Sequence, residues 1–332
     1  VTLQDASARR VTAADIARSL GISRATVGFV LNETPGQTIS AATRDRVLAE
    51  AKRLGYRPNS AARALASGHS RIILLVLPEW PLDFSMRAHL DEASLALDEA
   101  GYSLVTMTPH PGGHALPLWE TLRPDVVMGM MPFSAEQLER IRASGVAHII
   151  PDASAEEVSR EEQLGFAGGP RLQVAHLVDR GRRRLAFAGS PDHRIADLVQ
   201  QRRALARESA IDLAGAPLRA DEDVTETSVA RTISDWVDAG IDGVVAYNDD
   251  IAALVTGAAL RAGVRVPDTL AIVGHDDTPI AKLFVPSLSS VRIDSAGLGR
   301  YMAQLALSAA TGSAAPAAGP ESDAVLVIRE TT

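Results

Sequence analysis

Apolar positions in Val11–Pro58 repeat at helical spacing. Ile16, Leu20, Ile22, Val27, Val30 and Leu31 would meet where two short amphipathic helices pack. Thr12 is placed to cap the first helix, with the Asp15 charge in its first turn. Gly21 provides the turn, because only glycine takes a left-handed backbone cheaply. Ser23 caps the second helix, and Ser40–Leu54 reads as a third, capped by Ser40 and stopped by Gly55. Two helices joined by so tight a turn fit a helix-turn-helix, whose second helix enters the DNA major groove. A plain pair of packed amphipathic helices has the same periodicity.

From Arg71 onward the pattern changes. Short apolar runs predict strands at 72–77, 103–108, 126–131, 147–150, 185–188, 243–247, 270–273, 290–293 and 324–328. Between them helical periodicity predicts helices at 86–100, 135–144, 171–179, 196–210, 228–239, 251–262 and 298–310. Apolar strands alternating with helices indicate parallel sheets covered on both faces. The number of elements suits two doubly wound subdomains with a crevice at the carboxyl ends of their strands.

Charge sharpens the division. The formal net charge is −8, but residues 1–71 hold eleven Lys and Arg against five Asp and Glu, a balance of +6 that leaves −14 on the rest. A basic head on an acidic body suits a small module that faces phosphates. The chain has no cysteine, which excludes disulfides and thiolate metal sites. No apolar run is long enough to span a bilayer and the start is polar, so a cytoplasmic protein is expected. His110 and His114 lack a third ligand in their loop, and nothing resembles a nucleophile elbow or a paired-carboxylate site. Neither an enzyme nor a cofactor is expected.

Four spaced motifs carry a resemblance: Thr26-Val27-x-x-Val30-Leu31-Asn32, Thr43-Arg44-x-x-Val47-Leu48, Leu54-Gly55-Tyr56-x-Pro58-Asn59 and Ala62-Arg63-x-Leu65. The body adds Tyr247-Asn248-Asp249, the run from Val266-Pro267 to His275-Asp276-Asp277, and Pro286-x-Leu288-x-x-Val291. In these the chain resembles the LacI family of bacterial transcription regulators. The resemblance implies an all-α helix-turn-helix domain at 1–58, a hinge helix and linker at 59–70, and a periplasmic-binding-protein-like core at 71–332. The core would comprise one subdomain at about 71–157 and 293–320 and a second at about 158–292 and 321–332. The chain would cross between them near Glu157, Arg292 and Glu321. A homodimer on a palindromic double-stranded DNA operator is implied, most simply as a repressor controlled by a small sugar-like effector.

Candidate DNA contacts follow from that reading: Thr12, Ser23, Arg24, Ala25, Thr26, Phe29, Asn32, Tyr56, Asn59, Arg63 and Leu65. Arginine pairs bidentately with guanine and alanine touches a thymine methyl. Arg24 could instead hold a phosphate, and Phe29 could equally join the core. Gly28-Phe29 stand where the family usually has serine and arginine. Leu65 takes the place of the leucine that the family wedges into the minor groove. Candidate effector contacts are Asp152, Asp197, Asn248, Asp249 and Asp276. Asp249 has a second reading, as a cap with Asp250 for the helix that follows. Asp197 falls where sugar-responsive relatives carry an arginine, with Arg194 the substitute under a register slip. The missing cation points to a neutral ligand, such as a sugar or nucleoside. Two alternatives remain: a regulator without an effector, its pocket degenerate, and a solute-binding protein, which the basic head disfavours.

Overall fold

The computed structural model describes residues 11–32, 34, 36–57, 68–110, 114–153, 168–316 and 324–332. They form two compact units, divided after Arg71. The hinge reading, with Asn59, Arg63 and Leu65, and the crossings near Glu157 and Glu321 lie outside the described residues.

The first unit holds α1 (Ala13–Leu20), α2 (Arg24–Leu31) and α3 (Ala41–Arg53). The helical period of the sequence becomes one small core, in which Ile16, Val27, Val30 and Val47 are essentially sealed from water. Asp15 accepts hydrogen bonds from the Thr12 backbone N–H (2.9 Å) and hydroxyl (2.7 Å), which fixes the start of α1. Gly21 closes α1 at φ +66°, and Ser23 accepts from the Thr26 N–H at 3.0 Å to open α2. Ser40 does the same for α3 through the Thr43 N–H at 3.2 Å. Glu50 on α3 takes the Ser19 hydroxyl of α1 and the Arg53 guanidinium, and these two partners hold its carboxyl down at about 2.

The second unit contains two sheets. The first has order β2-β1-β3-β4, with β1 (Ile72–Val76), β2 (Ser103–Met107), β3 (Val126–Gly129) and β4 (His148–Ile150) all parallel. Its flanking helices are α4 (Phe84–Glu99), α5 (Leu118–Leu122) and α6 (Ala135–Ala143). The second sheet follows α7 (Gly168–Asp179) and has order β10-β9-β8-β7-β5-β6. It is built from β5 (Leu185–Gly189), α8 (Ala196–Ser209), β6 (Ala220–Asp223), α9 (Val229–Asp238), β7 (Gly243–Ala246), α10 (Asp249–Arg261), β8 (Ala271–His275), α11 (Pro279–Leu283) and β9 (Ser289–Arg292). After β9 the chain leaves for α12 (Ser295–Thr311), which packs in the core of the first sheet, and it returns as β10 (Val325–Val327).

Two departures from the sequence reading have local causes. β10 runs antiparallel to β9, as an added edge strand can where the connecting helix, α12, packs on the other sheet and does not cross over this one. β6 was not expected at all, because Ala-Asp-Glu-Asp shows no apolar pattern. It persists as an edge strand through its partners: Arg203 pairs with Asp221 and Asp223, Arg207 with Asp221, and the Trp236 indole N–H donates to Glu222.

Helices α4 and α12 touch backbone to backbone at Gly299. A Cβ there would lie 2.2 Å from the His89 carbonyl oxygen and 3.1 Å from the Ala93 nitrogen. Neither neighbour is a flexible side chain, so any larger residue must push the helices apart. Gly299→Ala is therefore expected to destabilise the protein by about 1–3 kcal/mol. Urea unfolding of the full chain measures it, and an unchanged midpoint would show that the helix pair yields freely.

Candidate functional site

The head presents one face of α2 to solvent. Val27 and Val30 turn into the core, whereas Arg24, Ala25, Phe29 and Asn32 lie on the opposite side and are exposed. Phe29 is 36% exposed and stands outside the core cluster, so the reading of it as a core residue is set aside. Among the described residues no hydrogen bond or ion pair holds the Arg24 guanidinium. Ser23 and Thr26 bond each other at the start of the helix, their hydroxyl oxygens 2.8 Å apart, and Asn32 closes it. Thr12 is exposed at the α1 N-terminus, and the Tyr56 ring packs partly against the three-helix core.

A separate site lies within the second unit, between its two sheets. The carboxyl ends of β1, β3, β5, β7, β8 and β9 open on a cavity of about 290 Å³. Trp80, Met86, Met130, Leu198, Leu205, Tyr247 and Leu298 give it mostly apolar walls. Of the expected contacts, Asn248 and Asp276 line it. Asn248 is also the cap of α10, its Oδ1 accepting from the Ile251 N–H at 2.9 Å, so neither Asp249 nor Asp250 caps that helix.

Three expectations need correction. Asp249 is wholly buried below the cavity floor, where it accepts from the Ser290 hydroxyl (2.5 Å) and from the Thr278 N–H (2.6 Å) and hydroxyl (3.0 Å). It braces α10 against β9 and the turn before α11. Asp152 is exposed and paired with Arg142 at 2.7 Å, outside the cavity lining. Asp197 faces solvent on α8, and Arg194, its alternative, is turned back onto Asp192 at 2.6 Å.

The arginine of the cavity is Arg202, which the sequence reading passed over. It pairs with both Asp276 carboxylate oxygens at 2.9 and 3.3 Å, donates to the Tyr247 carbonyl at 2.6 Å, and stacks 4.7 Å from the Tyr247 ring centre. The lone signal was that a buried Asp276 needs a counter-ion, and Arg202 lies two turns into the helix after β5. Asp276 also meets the His275 Nδ1 at 2.6 Å. Burial alone would raise its pKa, but Arg202 and His275 outweigh that and hold it well below the usual carboxylate range. His275 is itself buried, which pushes its pKa down, so the neutral ring donates from Nδ1. His89, also lining the cavity, is pushed down to about 4 by burial, and its Nε2 lies 2.7 Å from Met302 Sδ.

An exposed apolar surface accompanies the cavity. Phe84, Leu283 and Val325 line one shallow depression, with 54%, 78% and 52% of their surface exposed. Val285, two residues beyond Leu283, is 83% exposed. Among the described residues no helix is long and apolar enough to cross a membrane, and no metal-binding group of His, Cys, Asp or Glu comes together.

A helix-turn-helix head with an open second helix, joined to a two-sheet core with a cavity at its strand ends, defines a DNA-binding regulator with a periplasmic-binding-protein-like body. The comparisons agree. Residues 12–59 match the model of bacterial regulatory proteins of the lacI family, and residues 174–332 match that of the periplasmic binding protein-like domain. The transcriptional regulator CelR of Thermobifida fusca is 29% identical over 325 residues, covering 92% of this chain and 93% of its own. The ribose operon repressor of Bacillus subtilis is 27% identical, covering 89% and 90%. The lac repressor dimer bound to operator and an anti-inducer superposes with a TM-score of 0.75 at 22% identity, covering 97% and 99%. A CelR–cellobiose complex gives 0.59 at 24%, covering 97% and 100%. The head thus matches the lacI family of bacterial regulatory proteins, and relatives that align along most of the chain are LacI-family regulators. These relatives are transcription regulators, not enzymes.

Burial raises the Asp249 pKa to about 7, against the pull of its Ser290 and Thr278 donors. A carboxyl whose folded pKa lies above its unfolded value favours the fold most below about pH 4. That contribution is lost as pH rises toward 7, by roughly 4 kcal/mol at the upper end. Asp249→Asn is expected to gain stability relative to the unmodified protein across this window. Denaturant titrations of both at pH 4.5, 6 and 7.5 test it; a constant difference would mean that Asp249 is ionised throughout.

Proposed function

We propose that the protein is a repressor that binds a palindromic operator as a homodimer and is controlled by a small non-anionic molecule held between its two sheets. The observation that carries the DNA reading is the open face of α2. Arg24, Ala25 and Phe29 have no structural task inside the head that would explain their chemistry, and Asn32, which closes α2, stands exposed beside them. Arginine reads guanine bidentately, and Ala25 and Phe29 offer apolar contact to thymine methyl groups. By the family resemblance, Leu65 serves as a minor-groove wedge.

The homodimer rests on the exposed Phe84, Leu283, Val285 and Val325, an apolar surface of the kind that marks a protein interface. A two-fold dimer reads two half-sites, hence the palindrome. Control by a ligand rests on the cavity, and on relatives whose names refer to ribose and cellobiose. Those sugars belong to the relatives. For this chain the committed Arg202 argues against a phosphorylated or acidic ligand.

Selection of bound fragments from random DNA is expected to enrich an inverted repeat of roughly 14–20 base pairs. Affinity for it should fall steeply with salt as basic groups release counterions. Arg24→Ala should cost about 1–3 kcal/mol and relax the base preference at one position in each half-site. A uniform loss across all sequences would make Arg24 a phosphate contact, and no enriched repeat would defeat the operator reading.

The dimer has its own test. Leu283→Glu places a charge in the apolar surface and is expected to yield a monomer by sedimentation velocity, with operator affinity reduced at least tenfold. A variant that stays dimeric would move the interface elsewhere.

A further inference from the structure

The charges that line the cavity are unbalanced, and the imbalance lies across it. Four carboxylates line the space: Asp83 from the side of the first sheet, and Asp192, Asp250 and Asp276 from the side of the second. Two are neutralised within the fold, Asp276 by Arg202 and Asp192 by Arg194. Asp83 and Asp250 have no ion-pair partner among the described residues. Both are exposed at the rim, and each stands at the start of a helix, Asp83 as the cap of α4 and Asp250 in the first turn of α10. A helix N-terminus offsets roughly half a charge, which leaves about one negative charge uncompensated between them. Burial raises the Asp83 pKa, its bond from the Met86 N–H lowers it, the charge of Asp276 raises it, Arg202 lowers it and Asp250 raises it, so the three carboxylates and Arg202 sense one another across the gap.

Among the described residues no cation lining the cavity is free to pair with Asp83 or Asp250, and Arg202 acts on Asp83 without an ion pair. Arg202 is consumed by Asp276, the Tyr247 carbonyl and the Tyr247 ring, and His89 is held neutral by burial. The rest of the lining is dominated by apolar side chains, with Trp80 the aromatic surface not already stacked on Arg202. A neutral polyol would leave the two acids unanswered, and an anion would be repelled by them. An ammonium group would meet carboxylates from both sides at once, and its apolar stem would cover the Trp80 and methionine walls.

We propose that the effector of this regulator is a small primary amine with an apolar body, its ammonium seated between Asp83 and Asp250 so that it draws the two sheets' sides of the cavity together. This deepens the ligand-controlled reading above and rests on it. Bridging charges from the two sides gives the ligand a differential affinity for the closed arrangement, which is the condition for control.

An isosteric series supplies the test: 2-phenylethylamine, 2-phenylethanol and phenylacetate, with cellobiose beside them. Isothermal titration on the full-length protein is expected to rank amine above alcohol by at least about tenfold, with no binding of the carboxylate. Asp83→Asn and Asp250→Asn should each bring the amine close to the alcohol; asparagine keeps the α4 cap, so loss of fold is not the cause. The amine, and not the alcohol, should shift operator affinity. Equal affinity for amine and alcohol, or no binding of the amine, overturns the proposal. If cellobiose alone binds and moves operator affinity, ligand control survives and the amine is wrong. If no member of the series alters operator binding, the amine proposal falls, and the regulator without an effector becomes the better reading.

Discussion

Two adjacent carboxylates at the end of β8 face opposite ways, and much of the core is tied to them. Asp276 turns into the cavity to Arg202 and His275. Asp277 turns the other way, into a clamp formed by Arg292 at the end of β9 and Arg329 in the C-terminal segment. To present both sides the backbone takes positive φ at consecutive non-glycine residues, +93° and +44°. Such conformations cost on the order of 1–3 kcal/mol each and persist only where the surroundings determine them. Here the ion pairs do so. Removing one partner of a buried pair costs about 3–5 kcal/mol, because the other charge is left behind. Helix α8, strands β8 and β9 and the chain terminus thus converge on a single turn.

The same turn sets the chemistry of the cavity. A buried Asp276 requires a cation, and Arg202 meets the requirement from the helix after β5, leaving no cation among the described lining residues free for a ligand. Selectivity is then decided by what remains at the rim. Below the floor the buried Asp249 couples α10 to β9, so the face that supports Asn248 cannot shift without disturbing that brace. Stability and ligand preference therefore draw on neighbouring residues with opposite exposure.

Local signals were well written in the sequence. Ser23, Ser40 and Gly21 each fixed a helix end through bonds within four residues, and the apolar runs of β5, β7 and β8 read as buried strands. Long-range pairs were not. Arg202 and Asp276 are 74 positions apart, and nothing near either names the other. Asp-Glu-Asp in β6 is held as a strand by its pairing with β5 and by Arg203, Arg207 and Trp236, which come to it from elsewhere. Asp249 looked like a ligand contact because it follows Asn248. Once Asn248 caps α10, however, the first helical residue turns beneath the sheet end and not over it.

The passage from β9 to α12 takes two residues, Ile293 and Asp294. At one end Arg292 is clamped to Asp277; at the other α12 is pressed onto α4 at Gly299. Three Cα steps reach about 11 Å at full stretch, and these anchored ends leave little slack. The two sheets are thus leashed at one corner. A tie this short resists sliding of one past the other there and favours rotation about the leash. Small changes of angle at that corner would become large sweeps at the far edges of the sheets, which gears the two-sheet core as a lever with its fulcrum beside the cavity.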